Sequence, residues 1–178
     1  MSRWLIRGLG VILLVIAVAF VWQRFFGDDV VLGTVRVPAP VATIGSGAEA
    51  VGVAAGGEVV AWWPLEEDAA LPELPLNEAP QGNRLRGPAL EQVRVLAAAP
   101  PALRPYLASS RYGESGVDVE TTAGIELRFG DASQASRKWK AVAAVLADPE
   151  IEALDYVDVH APARPAIGGS GHTLPPAP

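Results

Sequence analysis

The side chains that could carry out chemistry are few and widely spaced. The chain has no cysteine and two histidines, His160 and His172, so thiolate nucleophiles, disulfides and thiolate metal sites are excluded. A Ser-His-Asp arrangement would have to use His160, and no nucleophile-elbow motif accompanies it. Asp118 and Glu120 lie two residues apart, so a strand would present both on one face, where they could bind a cation or exchange protons. An outward-facing polar strand surface explains the same spacing.

The glycine-rich stretch near the start of the predicted domain does not match a phosphate-binding loop. Gly45, Gly47 and Gly52 lack the G-x-G-x-x-G spacing, and they do not open a helix. We therefore predict no catalytic residue, no cofactor and no metal site.

The N-terminus has the pattern of a membrane anchor. Arg3 and Arg7 precede an apolar run, Gly8–Trp22, after which the sequence turns polar. A helix needs about 20 apolar residues to cross a bilayer, and the preceding arginines favour a cytoplasmic N-terminus. A cleaved signal peptide is the alternative, because residues 17–19 (AVA) fit an A-x-A cleavage site. Both interpretations export the rest of the chain.

The exported part is acidic. Beyond residue 26 the chain carries 11 of the 14 basic and all 20 acidic residues, a difference that gives a net charge of −9. A nucleic-acid-binding protein needs a basic face, so this balance argues against nucleic acid as a partner. The composition also gives no support to docking on anionic lipid.

Short apolar segments separated by glycine and proline predict strands, and two longer periodic segments predict helices. The predicted strands are 30–37, 41–44, 51–53, 58–63, 117–122, 125–129 and 151–160, the last of these ending the fold. Residues 64–86 read as an extended loop attached to the core by its leucines. One helix follows Gly87-Pro88, where proline suits the first helical position. The other is predicted to start at Asp131, with Gln134 completing a capping box, and to place Trp139 in the core.

These elements predict an α+β fold, with a small, mostly antiparallel sheet and two helices behind a single N-terminal transmembrane helix. The predicted organisation is a cytoplasmic N-terminus (1–7), an anchor (8–26), a linker or first strand (27–34), an exported domain (35–167) and a disordered, proline- and glycine-rich tail (168–178).

The second half of this pattern resembles the β domain of the FtsQ/DivIB cell-division proteins. Residues 124–131 (GIELRFGD) lead into a helix that contains Lys138, and residues 154–162 (LDYVDVHAP) follow. In the family, a strand ending near "G-v-x-v-x-L-G" is likewise followed by a lysine-containing helix and a strand reading "Y-I/V-D-L/V-R". Three upstream stretches, 35–42, 51–59 and 71–75, are similar to family motifs in the same order.

The chain departs from the family pattern at two places. Family members usually carry a POTRA domain between the membrane and the β domain, but the stretch between Trp22 and Val35 is too short to hold one, so that domain is either missing or survives only as the strand 30–37. His160 replaces the arginine of the C-terminal strand motif, and Ala161 stands where many members have an aromatic residue. Both differences bear on how the chain would recognise its partners.

The resemblance implies a non-catalytic divisome scaffold in the cytoplasmic membrane, whose exported domain binds FtsB- and FtsL-type partners. In the family the C-terminal edge receives FtsB as an added strand, a mode that relies on main-chain hydrogen bonds. The predicted partner-binding residues are Tyr156, Val157, Asp158, Val159 and His160. The resemblance implies neither a nucleic-acid partner nor a small-molecule substrate.

Two alternatives remain at this point. A general envelope adaptor, not involved in division, would use the same anchor and the same sheet edge. An exported hydrolase built on Asp118, Glu120 or His160 is the less favoured alternative.

Overall fold

A computed structural model describes residues 38–45, 47–60, 71–76, 80 and 82–174. Two α-helices and eight strands make up this part of the chain. In chain order they are β1 (Pro40–Ile44), β2 (Val51–Ala54), β3 (Val59–Val60), α1 (Gly87–Ala97), β4 (Leu107–Gly113), β5 (Gly116–Thr121), β6 (Glu126–Gly130), α2 (Ala135–Leu146), β7 (Ala153–Asp158) and β8 (Ala166–Thr173). Single 3₁₀ turns precede β2 and β4. The predicted strand 30–37 and residues 61–63 of the predicted strand 58–63 lie outside the described residues.

The strands form two sheets that are joined through a short extended segment. The first has the order β1-β2-β3, and the second has the order β4-β5-β6-β7-β8. Residues 72–74 lie between them, with four backbone hydrogen bonds of 2.7–3.0 Å to Thr43 on one side and to Ala108 and Ser110 on the other. An extended segment within the predicted loop therefore joins both sheets.

All pairings within the two sheets are antiparallel except that of β6 with β7, which is parallel. Parallel neighbours need a crossover connection, and α2 supplies it. The mostly antiparallel α+β fold predicted from the sequence is confirmed.

The core lies between the second sheet and the two helices. Alternate residues of β5 and β6 are buried on the face that the helices cover, as the predicted alternation of Ile125, Leu127 and Phe129 requires. Trp139 on α2 is fully buried and packs against the Phe129 ring, with 4.7 Å between ring centroids. The prediction of Trp139 as a core residue is confirmed.

The start of the second helix differs from the prediction. α2 begins at Ala135, and its N-cap is Gln134, which has a left-handed backbone (φ 52°) and makes no side-chain capping bond. Asp131 Oδ1 instead accepts hydrogen bonds from the backbone and hydroxyl of Ser133 and from the Lys138 ammonium group. The predicted capping box is wrong, because Asp131 forms a local turn and pairs with Lys138, which lies in the first part of α2.

The C-terminal end of the fold also differs from the prediction. Strand β7 is not the last strand, because β8 pairs with it antiparallel in the register Tyr156↔Gly168 and Val157↔Ile167. The tail predicted to be disordered from residue 168 therefore contributes most of a strand. Strand β8 contains three glycines and few β-branched residues, so its sequence does not predict a strand.

Among the described residues, no helix has the length and apolar character needed to cross a membrane. The predicted anchor, residues 8–26, lies outside them.

Candidate partner-binding sheet edge

The five residues predicted to bind a partner lie on an interior strand or just beyond its end. Tyr156 pairs with Glu126 of β6 on one side and with Gly168 of β8 on the other. Both edges of β7 are thus occupied, and its main chain cannot accept an added strand. The prediction that β7 supplies the open edge is wrong, because β8 already covers it.

Two of the five side chains are inaccessible. Val157 and Val159 are fully buried in the core beneath the helices. A partner could reach them only if the sheet opened, so we assign them to packing.

The Tyr156 ring is engaged within the domain. The Arg128 guanidinium lies 4.1 Å from the ring centroid, a cation–π distance. A Cβ atom placed on Gly168 would lie 2.7 Å from the ring, so the tyrosine covers this glycine closely. Tyr156 therefore supports β8 and does not present a free aromatic surface.

Asp158 and His160 bind each other at the end of β7. The His160 backbone N–H and its Nδ1 lie 2.9 and 2.8 Å from Asp158 Oδ1. Burial, the largest single effect on Asp158, raises its pKa, but the hydrogen bonds from His160 together hold that pKa below its ordinary value. The side-chain hydrogen bond to Asp158 raises the pKa of His160 in turn.

Strand β8 forms one edge of the second sheet. Its eight residues pair with β7, and no other described strand lies against its outer side. An edge of this kind presents unpaired N–H and C=O groups, which proteins usually protect with charged residues, proline or a covering segment. Residues 166–173 (AIGGSGHT) contain no lysine, arginine, acid or proline. The edge is therefore chemically open to an added strand.

Side chains on β8 are small apart from Ile167 and His172. Ile167 lies opposite the fully buried Val157, yet it remains 44% exposed. Asp155 Oδ1 accepts the Gly171 N–H at 2.7 Å, which holds the irregular part of β8 against β7. Ile167 is thus the large apolar side chain that this edge offers to a partner.

On the other face of the second sheet, charges alternate across four strands. Arg111, Asp118, Arg128 and Asp158 lie opposite one another on β4, β5, β6 and β7. Arg111 Nε lies 3.6 Å from Asp118 Oδ2, and both arginines also pair with Glu126. Opposite charges facing each other across strands stabilise one register, so this row favours the observed alignment of the sheet.

A hollow of about 270 Å³ lies beside this row. Asp118 and Glu120 both line it, together with Glu126 and Asp155, so the two residues singled out in the sequence do share one face. Burial raises the pKa of Asp118, with a smaller contribution from Glu126, and Arg111 and Arg128 oppose the increase. In the part of the chain that the structure describes, no group of three or more His, Cys, Asp or Glu residues is placed to hold a metal ion.

Sequence analysis missed the open edge of β8 because it ended the fold one strand early. The available signal was the pair of residues that flank the glycines, Ile167 and Thr173, with Pro165 just before the strand. The contact between Tyr156 and Gly168 could not be predicted from the residues of one strand, because it depends on how two strands align.

A model of one known protein family matches the greater part of this chain. The family described as "Cell division protein FtsQ/DivIB, C-terminal" matches residues 45–160, which is most of the chain. No individual curated protein matches it. Because the match spans more than half of the sequence, the resemblance read from the residues is confirmed: the chain belongs to the FtsQ/DivIB family of cell-division proteins.

Proposed function

We propose that this chain is a non-enzymatic divisome scaffold that binds an FtsB-type partner by adding a strand to the outer edge of β8. The observation that carries the proposal is the open edge of β8. Its eight residues include no aspartate, glutamate, lysine, arginine or proline. Family membership supports a role in cell division. FtsL-type proteins are the second expected partner, and the scaffold would act on septal peptidoglycan synthesis through these contacts.

Strand addition divides recognition between two kinds of contact. Main-chain hydrogen bonds along β8 would supply affinity for any extended segment, and side chains would supply selectivity. Ile167 is the natural side-chain anchor, because a partner strand would bury its exposed part. Tyr156, Asp158 and His160 would act indirectly, by holding β7 and the start of the turn into β8.

The proposed location is the cytoplasmic membrane, with residues 8–26 as anchor and the β domain outside the cytoplasm. An N-terminal fluorescent fusion tests this in dividing cells. A band at midcell is the expected result. Even fluorescence around the cell would contradict the division role and favour a general envelope adaptor, and diffuse cytoplasmic signal would favour a cleaved leader.

The edge itself is tested with a matched pair of substitutions. Ile167→Glu adds a charge to the β8 edge, and Tyr112→Glu adds the same charge to β4, where the side chain is also 44% exposed. Tagged full-length protein is purified from its own cells, and the co-purifying FtsB-type protein is quantified. Ile167→Glu should reduce recovery about tenfold or more, the effect of roughly 1.4 kcal/mol. Equal recovery with both variants would rule out β8 as the binding edge.

A further inference from the structure

His160 lies where the ends of three structural elements meet. Its Nδ1 is 2.8 Å from Asp158 Oδ1 at the end of β7, and its Nε2 is 3.1 Å from the Ser115 carbonyl oxygen in the β4–β5 turn. The ring also lies over Gly130, the last residue of β6. We call these three contacts the His160 link.

Both ring nitrogens of the His160 link face oxygen atoms that can only accept a hydrogen bond. A neutral imidazole carries one N–H, so it can donate to the Asp158 carboxylate or to the Ser115 carbonyl, but not to both. The imidazolium ion carries two N–H groups and satisfies both acceptors at once. The observed geometry is therefore complete only when the ring is protonated.

The space for the ring depends on a glycine. Gly130 has a left-handed backbone with φ of +70°, and a Cβ atom there would overlap the imidazole of His160. Both the left-handed backbone and the close approach of the ring favour glycine at this position. The absence of a side chain at Gly130 thus leaves room for the His160 ring at the end of β6.

Charged groups on the neighbouring elements also act on the ring. The hydrogen bond with Asp158 has the largest effect and raises the pKa of His160, the Ser115 carbonyl adds to this, and burial and Lys138 on α2 oppose it. Asp118 on β5 also lies within range, because the His160 charge lowers its pKa. The Asp158 carboxylate and the Ser115 carbonyl outweigh burial and the lysine, so the pKa of His160 lies above its ordinary value.

We propose that the His160 link is a proton-dependent contact that ties the β4–β5 turn to the end of β7 when the imidazole is charged. Loss of the proton removes one of its two hydrogen bonds and frees the turn from the strand. Residues 161–165 follow the link directly and lead into β8.

The effect on stability has a defined direction. A pKa raised in the folded protein means that the link contributes fully below the ordinary histidine value of 6.5 and is lost as pH rises through the folded value. If β8 binds a partner as proposed above, that surface becomes less firmly held at higher pH. This last consequence rests on the proposed function, whereas the link itself does not.

The experiment is a nuclear magnetic resonance titration of the ¹⁵N-labelled full-length protein in detergent micelles, without any partner. The ring nitrogens of His160 should remain protonated above the ordinary value of 6.5. The backbone amides of Ser115 and Gly116 should shift with the same midpoint, because the carbonyl of Ser115 gains and loses a hydrogen bond. His172 provides a second histidine signal in the same spectra.

Two variants make the test specific. Asp158→Asn removes the carboxylate and should lower the His160 midpoint, and His160→Gln should remove the shared transition at Ser115 and Gly116. If His160→Gln does not fold, the titration of the wild-type protein tests the proposal without it. A His160 midpoint at or below the ordinary value, or Ser115 and Gly116 amides that do not follow it, would overturn the proposal. None of these readouts depends on partner binding.

Discussion

Trp139 on α2 donates its indole N–H to the main-chain carbonyl oxygen of Val95 on α1, across 2.7 Å. Both residues are fully buried. Val95 lies in the last turn of α1, where carbonyl groups lack partners within the helix. The Ala98 backbone N–H also reaches this oxygen, at 3.2 Å. The indole therefore joins the two helices inside the core and satisfies a carbonyl that water cannot reach.

Replacing Trp139 separates the contribution of this hydrogen bond from that of the buried ring. We expect Trp139→Phe, which keeps most of the apolar surface, to lower the free energy of unfolding by about 1–3 kcal/mol. Trp139→Ala should cost about 3–5 kcal/mol, because it also leaves a cavity. Urea denaturation followed by circular dichroism measures both, with Lys140→Ala on the exposed side of α2 as control. A loss below about 0.5 kcal/mol for Trp139→Phe would show that the hydrogen bond adds little.

Asp131→Asn tests the ion pair at the start of α2. The hydrogen bond from Lys138, aided by Ser133, lowers the pKa of Asp131 to about 2. A lowered pKa stabilises the fold above the unfolded value of 3.8, and this contribution is lost as pH falls toward 2. Because the carboxylate is largely exposed, we expect the variant to lose only about 1 kcal/mol at neutral pH.

The difference between Asp131→Asn and wild type should disappear near pH 2, where the wild-type carboxylate becomes protonated. Glu150→Gln removes an exposed acid beyond the same helix and controls for the change in net charge. Urea midpoints measured across acid pH provide the comparison. A difference that stays constant with pH would show that the effect comes from the side chain's shape and not from its charge.

Glu73 offers a test of the segment that joins the two sheets. Its side chain is exposed, while its N–H donates to Ala108 and its carbonyl accepts from Ser110, each at 2.9 Å. Glu73→Ala keeps both bonds and should change stability by less than about 0.5 kcal/mol. Glu73→Pro removes the backbone N–H that donates to the Ala108 carbonyl. It should lower the free energy of unfolding by about 3 kcal/mol or more. Similar melting temperatures for both variants would contradict the joining role.

Truncation tests whether β8 belongs to the folded domain. Deleting residues 168–178 removes most of the strand and leaves the backbone of β7 unpaired above the buried Leu154 and Val157. We expect a loss on the order of 3 kcal/mol or more, since the deletion removes several backbone hydrogen bonds, each worth about 0.5–1.5 kcal/mol net, and uncovers apolar surface of β7. Deleting residues 175–178 keeps β8 and should have a small effect. The measurement is thermal denaturation of the full-length chain and both truncated forms.

The sequence was sufficient to predict the elements whose side chains alternate or repeat at helical spacing. Both helices have such a pattern, and the hairpin of β5 and β6 shows it around Ala123-Gly124. Trp139 could be placed in the core because a large aromatic side chain on an apolar helix face is normally buried. These features depend on neighbours along the chain, which is the information that one sequence contains.

The features that were missed depend on contacts between distant segments. Strand β4 reads Leu-Ala-Ser-Ser-Arg-Tyr-Gly, and β8 has three glycines, so neither has a strong intrinsic preference for a strand. Each is a strand because a neighbour supplies its hydrogen bonds. The predicted binding edge was misplaced for the same reason, since only the position of β8 shows that β7 is enclosed.

The parallel pairing of β6 and β7 has a consequence for how the chain folds. Hairpins such as β4–β5 and β7–β8 close through short turns, a process that takes about 1–10 μs in isolated hairpins. Joining β7 to β6 closes a longer loop that contains the whole of α2, which adds an entropic cost. We therefore expect docking of the C-terminal hairpin to limit the folding rate, and β6 to remain an unpaired edge until that step is complete.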